Sequence, residues 1–358
     1  MNVASSRLRW LAAGALFTLS FTIPSVVLAE NMPVYFSHKH WDLVCGNTLT
    51  CRAEGYSPEN ELYSAAVLLT RLAGSSTPVD NQVMLTDLLD NEEALPRRGT
   101  PQLLIDGRSL GALQLADGQS QSWRMSATQF SAFLNALRRN SQITFQDKLG
   151  TYPLSGAGFS AVLLKMDDVQ GRIDTRSTIF KKGVKDESGV KAPIMAPVIT
   201  KARVMDEELR VMNAQEVAFY KPRLMKSLAE NKNNDCTEER LDNPELPWQI
   251  ARLNDRQSLV SASCWMAAYN WGEIFWVVDN EMKTPAQRVT ESGTEYNNGE
   301  IDFFQRGRGL GDCVVRESWV WSGEAFVHSY TGNTGRCRLI RSGGTWDMPD
   351  FVTSIVQP

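Results

Sequence analysis

A glycine-flanked serine in the first half of the chain has the spacing of a catalytic nucleophile. The run Gly107-Arg108-Ser109-Leu110-Gly111 fits the Gly-x-Ser-x-Gly pattern, in which small neighbours let the serine occupy a strained turn between a strand and a helix. Here Asp106-Gly107 is typical of a hairpin turn, and residues 112–115 favour a strand rather than a helix. We therefore interpret the run as an ordinary turn. A hydrolase acting on envelope material is the alternative function, and Ser109 with His328 is the pair that it would use.

Aromatic and basic side chains in the last third of the chain could bind a ligand. Seven tryptophans follow residue 200, and such rings stack on a sugar ring or a peptide, although cross-strand packing explains most of them. The run from Gly307 to Gly311 could wrap an anion, but its spacing fits neither a P-loop nor a dinucleotide-binding loop. A bulged strand beside Cys313 is the favoured interpretation. The candidate ligand-binding residues are Trp265, Trp271, Trp276, Arg306 and Arg308.

The cysteines lie in two groups and predict three disulfides. They are Cys45 and Cys51 near the start, and Cys236, Cys264, Cys313 and Cys337 after residue 230. An even number in an exported chain indicates disulfides because the compartment is oxidising. If the halves fold independently, Cys45 pairs with Cys51. The other four allow three pairings, of which Cys236–Cys264 and Cys313–Cys337 are favoured. The spacings do not suit zinc, and we predict no metal site, no cofactor and no catalytic set.

The first 29 residues have the layout of a cleaved signal peptide. Arg7 and Arg9 precede an uncharged apolar stretch, and Val27-Leu28-Ala29 fits a cleavage site. A membrane anchor is the alternative, but the segment is short and Pro24 interrupts it. No later stretch approaches the ~20 apolar residues of a spanning helix. We expect a soluble periplasmic or secreted protein without a membrane span. The 41 acidic residues exceed the 37 basic ones, which argues against nucleic acid as a partner.

Composition divides the mature chain into two predicted domains. Residues 181–200 combine charges, glycine and proline and predict a linker. Residues 30–180 predict a mixed α+β domain, with a strand over 35–44 and helices over 126–139 and 155–170.

Residues 201–358 predict a tryptophan-rich β domain with four cysteines. Helical material over 206–231, interrupted by Pro222, precedes evenly spaced strands that suggest an antiparallel sandwich or small barrel. The predicted fold class is therefore β-rich α+β.

Several motifs together resemble a family of exported bacterial proteins of unknown function that carry six cysteines. The motifs are Trp41-Asp42-Leu43-Val44-Cys45 with Cys51, Leu163-Leu164-Lys165-Met166-Asp167 with Gln170-Gly171-Arg172, Cys264 with Ala268-Tyr269-Asn270, and the glycine-rich run before Cys313 with Trp321-Ser322-Gly323-Glu324. This resemblance implies no established reaction and no catalytic residues. The first half also resembles the invasion-associated locus B proteins through Trp41, Cys45 and Gly158-Phe159. That resemblance implies an envelope protein that affects interaction with a host.

Binding is the function that these observations favour over catalysis. We expect a non-enzymatic periplasmic or secreted protein whose partner is an envelope component or another protein. An inhibitor of an extracellular enzyme would be one version. The disulfides, the aromatic second half and the lack of a convincing catalytic set motivate this hypothesis.

Overall fold

The computed structural model describes residues 32–59, 61–86, 98–116, 122–230 and 234–357. The predicted signal peptide, residues 1–29, lies outside these ranges. None of the described helices is long and apolar enough to cross a membrane. The fold is rich in strands and belongs to the β-rich α+β class, as predicted.

Two antiparallel sheets and two helices make up the first half. Its described elements are β1 Val34–His38, β2 Trp41–Cys45, β3 Cys51–Tyr56, β4 Ala65–Arg71, β5 Val79–Leu85, β6 Gln102–Ile105, β7 Arg108–Ala112, β8 Gln114–Leu115, β9 Ser122–Arg124, α1 Ala127–Arg139, β10 Ile143–Gln146, β11 Thr151–Leu154 and α2 Phe159–Val169. The first sheet has the strand order β1-β2-β3-β4-β5-β9-β8, and the second sheet has the order β11-β10-β6-β7. Side chains from both sheets and both helices share one core, which includes Trp41, Phe133, Phe145 and Phe159.

Local signals account for most of these elements. Ser126 caps α1 in a capping box with Gln129, as its position before the apolar periodicity predicted. The single strand predicted over 35–44 is wrong, because Lys39 takes a positive φ of 53° and turns the chain into the β1–β2 hairpin.

Two five-stranded antiparallel sheets dominate the second half. Its described elements are β12 Val198–Thr200, β13 Arg210–Val211, α3 Ala214–Glu230, α4 Glu238–Leu241, β14 Gln249–Arg252, β15 Gln257–Met266, β16 Trp271–Asp279, β17 Gln287–Gly293, β18 Glu295–Asn297, β19 Glu300–Arg306, β20 Val314–Trp321, β21 Phe326–Asn333, β22 Met348–Val352 and β23 Ser354–Val356. The third sheet runs β13-β14-β15-β16-β17 and the fourth runs β18-β19-β20-β21-β22. Both sheets are open, so the small barrel is not the form that this half takes.

The third sheet is covered on both faces over much of its length. Leu259, Phe275 and Val277 pack against Ile301 and Trp321 of the fourth sheet. On the opposite face, Tyr220, Leu224 and Leu228 of α3 pack against β15 and β16. The predicted break at Pro222 is wrong because α3 continues through that residue, and the helix begins later than expected because Arg210 and Val211 pair with β14.

The predicted linker is tied to the first half by backbone hydrogen bonds. Lys191 donates to Gln170, Gly74 donates to Lys191, and Ile194 donates to Thr48. The last three linker residues form β12, which pairs in parallel with β23. The division into two domains at residues 181–200 stays a prediction.

The end of the chain crosses the outer face of the first sheet. Ile340, Trp346 and Met348 pack there against a cluster that includes Tyr56 and Leu68. Beneath this crossing, the Tyr56 hydroxyl donates to the buried Glu54 carboxyl group at 2.6 Å and accepts the Arg336 backbone N–H at 3.1 Å. An ion pair between Arg336 and Asp42 strengthens the contact.

The cysteines form three disulfides in the pairing that the sequence favoured. They are Cys45–Cys51 between β2 and β3, Cys236–Cys264 between the residues before α4 and β15, and Cys313–Cys337 between the residue before β20 and the C-terminal segment, residues 334–347 between β21 and β22. The second of them positions the wall of the site described next.

Candidate functional site

A cleft of about 310 Å³ opens on the third sheet, on the part of its face that the fourth sheet does not cover. Strands β15 and β16 form its floor, where Ser261 and Ser263 lie beside Glu273. The pairing becomes irregular between Ser263 and Trp265. We call this site the Trp271 cleft; its lining is Arg240, Leu246, Pro247, Gln249, Ser261, Ala262, Ser263, Met266, Trp271 and Glu273.

Glu273 places a carboxylate at the floor of the cleft. It accepts a hydrogen bond from the Ser261 hydroxyl, and Ser261 itself is fully buried. Burial raises the pKa of the Glu273 carboxyl, and the hydrogen bond from Ser261 offsets this only in part. Within the described residues, Glu273 forms no ion pair with any lysine or arginine. A ligand in the cleft would therefore meet a carboxyl group whose pKa is closer to neutrality than usual.

Arg240 forms one wall and is held by a disulfide. Its Nε and Nη2 atoms donate to the Ser263 hydroxyl at 3.0 and 2.8 Å. Arg240 belongs to α4, a single turn that starts two residues after Cys236. Cys264, the partner of Cys236, directly follows Ser263 in the chain, and its carbonyl accepts the Thr237 backbone N–H. The covalent bond thus fixes the position of Arg240 against the cleft floor.

Removing the Cys236–Cys264 disulfide should loosen α4, whereas removing the Cys45–Cys51 disulfide should not. In the chain-entropy model, replacing Cys236 and Cys264 by serine costs about 3 to 4 kcal/mol, against about 2 kcal/mol for Cys45 and Cys51, because the closed loop is longer. Urea unfolding measures both losses, and hydrogen exchange measures the opening of α4. We expect exchange in α4 to accelerate only in the first variant. Equal exchange there in both variants would contradict the positioning role.

Exposed apolar side chains form the rim of the cleft. Trp271 is 49% exposed and Met266 is 62% exposed, and both flank the turn between β15 and β16. Tyr269 lies in that turn and is also exposed. The amide of Asn270 holds the next loop beside the turn, since it donates to and accepts from the backbone of Arg306 at 2.9 Å. Three apolar side chains left in solvent at one turn indicate a contact surface.

Of the five predicted ligand-binding residues, two lie at or near the cleft and three make structural contacts. Trp271 lines the cleft. Arg306 is exposed and lies near it, because its backbone N–H donates to the Asn270 side chain in the adjacent turn. Trp276 is buried and stacks on Trp248 at 5.6 Å between ring centroids.

The other two predicted residues have structural partners. Trp265 lies over Gly272 and donates its indole N–H to the Glu291 carbonyl at 3.0 Å. Arg308 binds both carboxylate oxygens of Asp312, which also accepts the Leu339 backbone N–H. The glycine-rich run before Cys313 is therefore tied to the scaffold through Arg308.

The residues at the floor of the cleft were not among the predicted ligand-binding residues, although the sequence contains a pattern that indicates them. Ser261, Ser263 and Glu273 alternate with Val260, Ala262 and Ile274 along two strands. Alternation places the polar set on one face of the sheet, and a polar set on an otherwise buried strand indicates an open patch.

Ser109 and His328, the pair that a serine hydrolase would use, lie in different sheets and contact other residues. The Ser109 hydroxyl, on a hairpin of the second sheet, donates to the Gln102 side chain at 2.8 Å. His328, in the fourth sheet, stacks on Phe351, and its Nε2 atom shares a hydrogen bond with the Thr331 hydroxyl. Asp106 and Gly107 both take positive φ values, as the predicted hairpin turn requires.

Comparisons with known proteins find relatives but no described activity. A family model with the description "Protein of unknown function (DUF1176)" matches residues 35–353. The uncharacterized protein YpfG of Escherichia coli (strain K12) is 26% identical over 340 residues, which cover 87% of this chain and 90% of YpfG. No solved structure matches. The resemblance of the first half to the invasion-associated locus B proteins stays a prediction.

Proposed function

The chain belongs to a family of proteins of unknown function (DUF1176), and from that premise we propose that it is a non-enzymatic binding protein of the bacterial envelope that holds a sugar ring in the Trp271 cleft. One observation carries the proposal: a half-exposed indole stands at the rim of a cleft whose floor holds a half-buried carboxyl group. The disulfides support an oxidising compartment, and the predicted signal peptide supports export.

The exposed indole supports stacking on a sugar. Among the tryptophans that the structure describes, the others are buried or half-buried, so the exposure of Trp271 is an exception there. A flat aromatic ring offers apolar contact to the C–H face of a sugar, with little loss of side-chain freedom. The cleft volume lies near the lower end of the roughly 300–1,000 Å³ that is common for small-molecule sites. It suits one ring rather than a long chain.

The polar groups of the cleft support recognition of hydroxyl groups. Glu273 accepts hydrogen bonds when ionised and can also donate when protonated, and its raised pKa brings the second form closer to neutral pH. Ser263, Gln249 and Arg240 add further donors and acceptors around the same space. A sugar hydroxyl both donates and accepts, so this mixed lining matches it better than a purely apolar ligand.

Replacing Trp271 by alanine should remove most of the binding. We expect the affinity for soluble peptidoglycan fragments to fall about tenfold or more, since a stacked aromatic contact contributes about 1 to 2 kcal/mol. Isothermal titration calorimetry with the mature protein measures the change. Phe304→Ala is the matched control, because Phe304 is an exposed aromatic residue of β19 outside the cleft. Equal affinities for wild type and Trp271→Ala would refute the proposal.

A hydrolase acting on envelope glycans is the second candidate. Glu273 favours it, because a carboxyl group with a raised pKa serves as a general acid in glycoside hydrolysis. A neighbouring pocket is lined by Glu273 together with Glu208 and Glu295, which could supply the second carboxylate. Release of reducing ends from peptidoglycan by the wild type, abolished in Glu273→Gln, would establish this candidate over binding alone. Binding without any release supports the first.

A further inference from the structure

A second pocket of about 650 Å³ lies between the first sheet and the end of the chain. Its floor is the row of Arg52, Thr70 and Asp80, which are paired side by side on β3, β4 and β5. The segment from Arg341 to Asp347 forms the opposite wall, and Arg316 of β20 also lines the space. We call this space the C-terminal pocket.

The C-terminal pocket carries three guanidinium groups. Arg52 is half-buried, and its guanidinium makes no hydrogen bond or ion pair within the described part of the chain, although the Asp347 carboxylate attracts it. Burial lowers the pKa of Arg52, which shows that its charge is poorly solvated. Arg316 donates to the Gly343 carbonyl at 3.5 Å and lies over the Phe304 ring, and Arg341 is exposed. Among the described residues, none of the three guanidinium groups forms an ion pair, so their charges can pair with an anion.

The acidic groups of the pocket are already engaged. Asp80 forms an ion pair with Arg124 at 3.3 Å. Asp347 accepts the hydroxyl of Tyr330. Arg52, Arg316 and Arg341 line the pocket against two aspartates, so it presents more positive than negative charge to a ligand, even though the whole chain is acidic.

Two buried donors in the pocket wall give a second, independent indication of a ligand. The Thr345 hydroxyl and the Trp346 indole N–H have no hydrogen-bond partner among the described residues, and the two residues are only 3% and 6% exposed. A buried polar group without a partner costs about 1 to 3 kcal/mol. The indole N–H can only donate, so the group that satisfies it must be an acceptor.

We propose that the C-terminal pocket binds a phosphate group. Phosphate oxygens accept from several donors at once, and arginine matches their geometry with two parallel hydrogen bonds. In the bound state Arg52 and Arg316 neutralise the charge, while the Thr345 hydroxyl and the Trp346 N–H donate to phosphate oxygens. This site is separate from the Trp271 cleft. Its phosphate comes from a phosphorylated envelope sugar or from free inorganic phosphate.

Titration calorimetry at low ionic strength distinguishes the sources and tests the site. The probes are inorganic phosphate, glucose 6-phosphate and glucose. We expect both phosphates to bind, more weakly as salt is added, and glucose not to bind in this pocket. Tighter binding of glucose 6-phosphate identifies a sugar phosphate as the ligand, whereas equal or tighter binding of inorganic phosphate identifies the free ion.

Two substitutions assign the binding to this pocket. Arg52→Gln and Thr345→Val should each lower the affinity for phosphate about tenfold. Arg223→Gln, which removes an exposed arginine of α3, should leave that affinity unchanged. Thr345→Val keeps the side-chain volume and removes an unpaired hydroxyl, so its melting temperature should not fall. It therefore remains informative if Arg52→Gln fails to fold. No heat of binding with either phosphate at millimolar concentration, or wild-type affinity in Thr345→Val, overturns the proposal.

Discussion

Replacing Glu54 by glutamine should make the stability of the protein far less dependent on pH. Glu54 is buried beneath the C-terminal segment, where burial raises the pKa of its carboxyl from 4.5 to about 8, and the hydrogen bond from Tyr56 offsets this in part. The group is therefore neutral in the folded protein at pH values where it is ionised in the unfolded chain.

The direction of the pH effect follows from this difference in pKa. Below pH 4.5 both states are protonated, and the stability that the neutral carboxyl permits is fully present. As pH rises towards 8, the unfolded chain binds fewer protons than the folded one, so the free energy of unfolding falls. The loss should reach about 3 to 5 kcal/mol. Glu54→Gln removes the ionisation and with it this loss.

Urea unfolding between about pH 5 and 8.5 measures how the free energy of unfolding falls with pH. Glu54 is protonated in the folded protein and ionised in the unfolded chain over roughly this range. The difference between wild type and Glu54→Gln isolates this group from the carboxyls of Asp167 and Glu273, whose pKa values are also raised by desolvation. Glu61→Gln, at an exposed position of the same half, is the matched control. A difference between wild type and Glu54→Gln that stays constant across the pH range would contradict a neutral Glu54.

Replacing Arg172 by methionine should cost about 3 to 5 kcal/mol of stability. Arg172 is fully buried, and its Nη2 atom donates to the Gly74 carbonyl at 2.6 Å and the Thr77 hydroxyl at 2.7 Å. Its Nε donates to Gln170, whose amide in turn donates to the Arg71 carbonyl. Methionine fills much of the same space but leaves these acceptors without a donor, which explains the large expected loss.

The neighbouring Arg176 provides the control for Arg172. It is exposed, so Arg176→Met should change the free energy of unfolding by less than about 0.5 kcal/mol. Urea unfolding at neutral pH compares the two variants. A loss below about 1 kcal/mol in Arg172→Met would mean that the network around residues 170–177 contributes little to stability.

Local patterns in the sequence predicted much of the fold. The capping box at Ser126 gave the start of α1, and the Asp106-Gly107 turn gave the β6–β7 hairpin. The grouping of cysteines along the chain predicted the Cys45–Cys51 disulfide and left three pairings for the other four cysteines, of which the favoured one forms. These features depend on residues close in sequence, where turn chemistry and periodicity decide the conformation.

Features that join distant segments could not be predicted in this way. The crossing of the C-terminal segment over the first sheet brings Arg336 to Asp42 and Trp346 to the face that carries Leu68, and no periodicity encodes such a pairing. The C-terminal pocket exists only because of that crossing. Alternation along β16 places Trp271 and Trp276 on opposite faces, but the sequence does not show which face another element covers, so it could not tell that Trp271 is the exposed one.

The measurement that tests the central proposal most directly is an NMR titration of the tryptophan indole N–H signals with soluble peptidoglycan fragments. The Trp271 signal is assigned by its loss in Trp271→Phe. The account predicts that this signal shifts in a saturable way while the buried Trp248 and Trp276 signals change little. Saturable binding that leaves the Trp271 signal in place, or no binding at all, would contradict a sugar site in the Trp271 cleft.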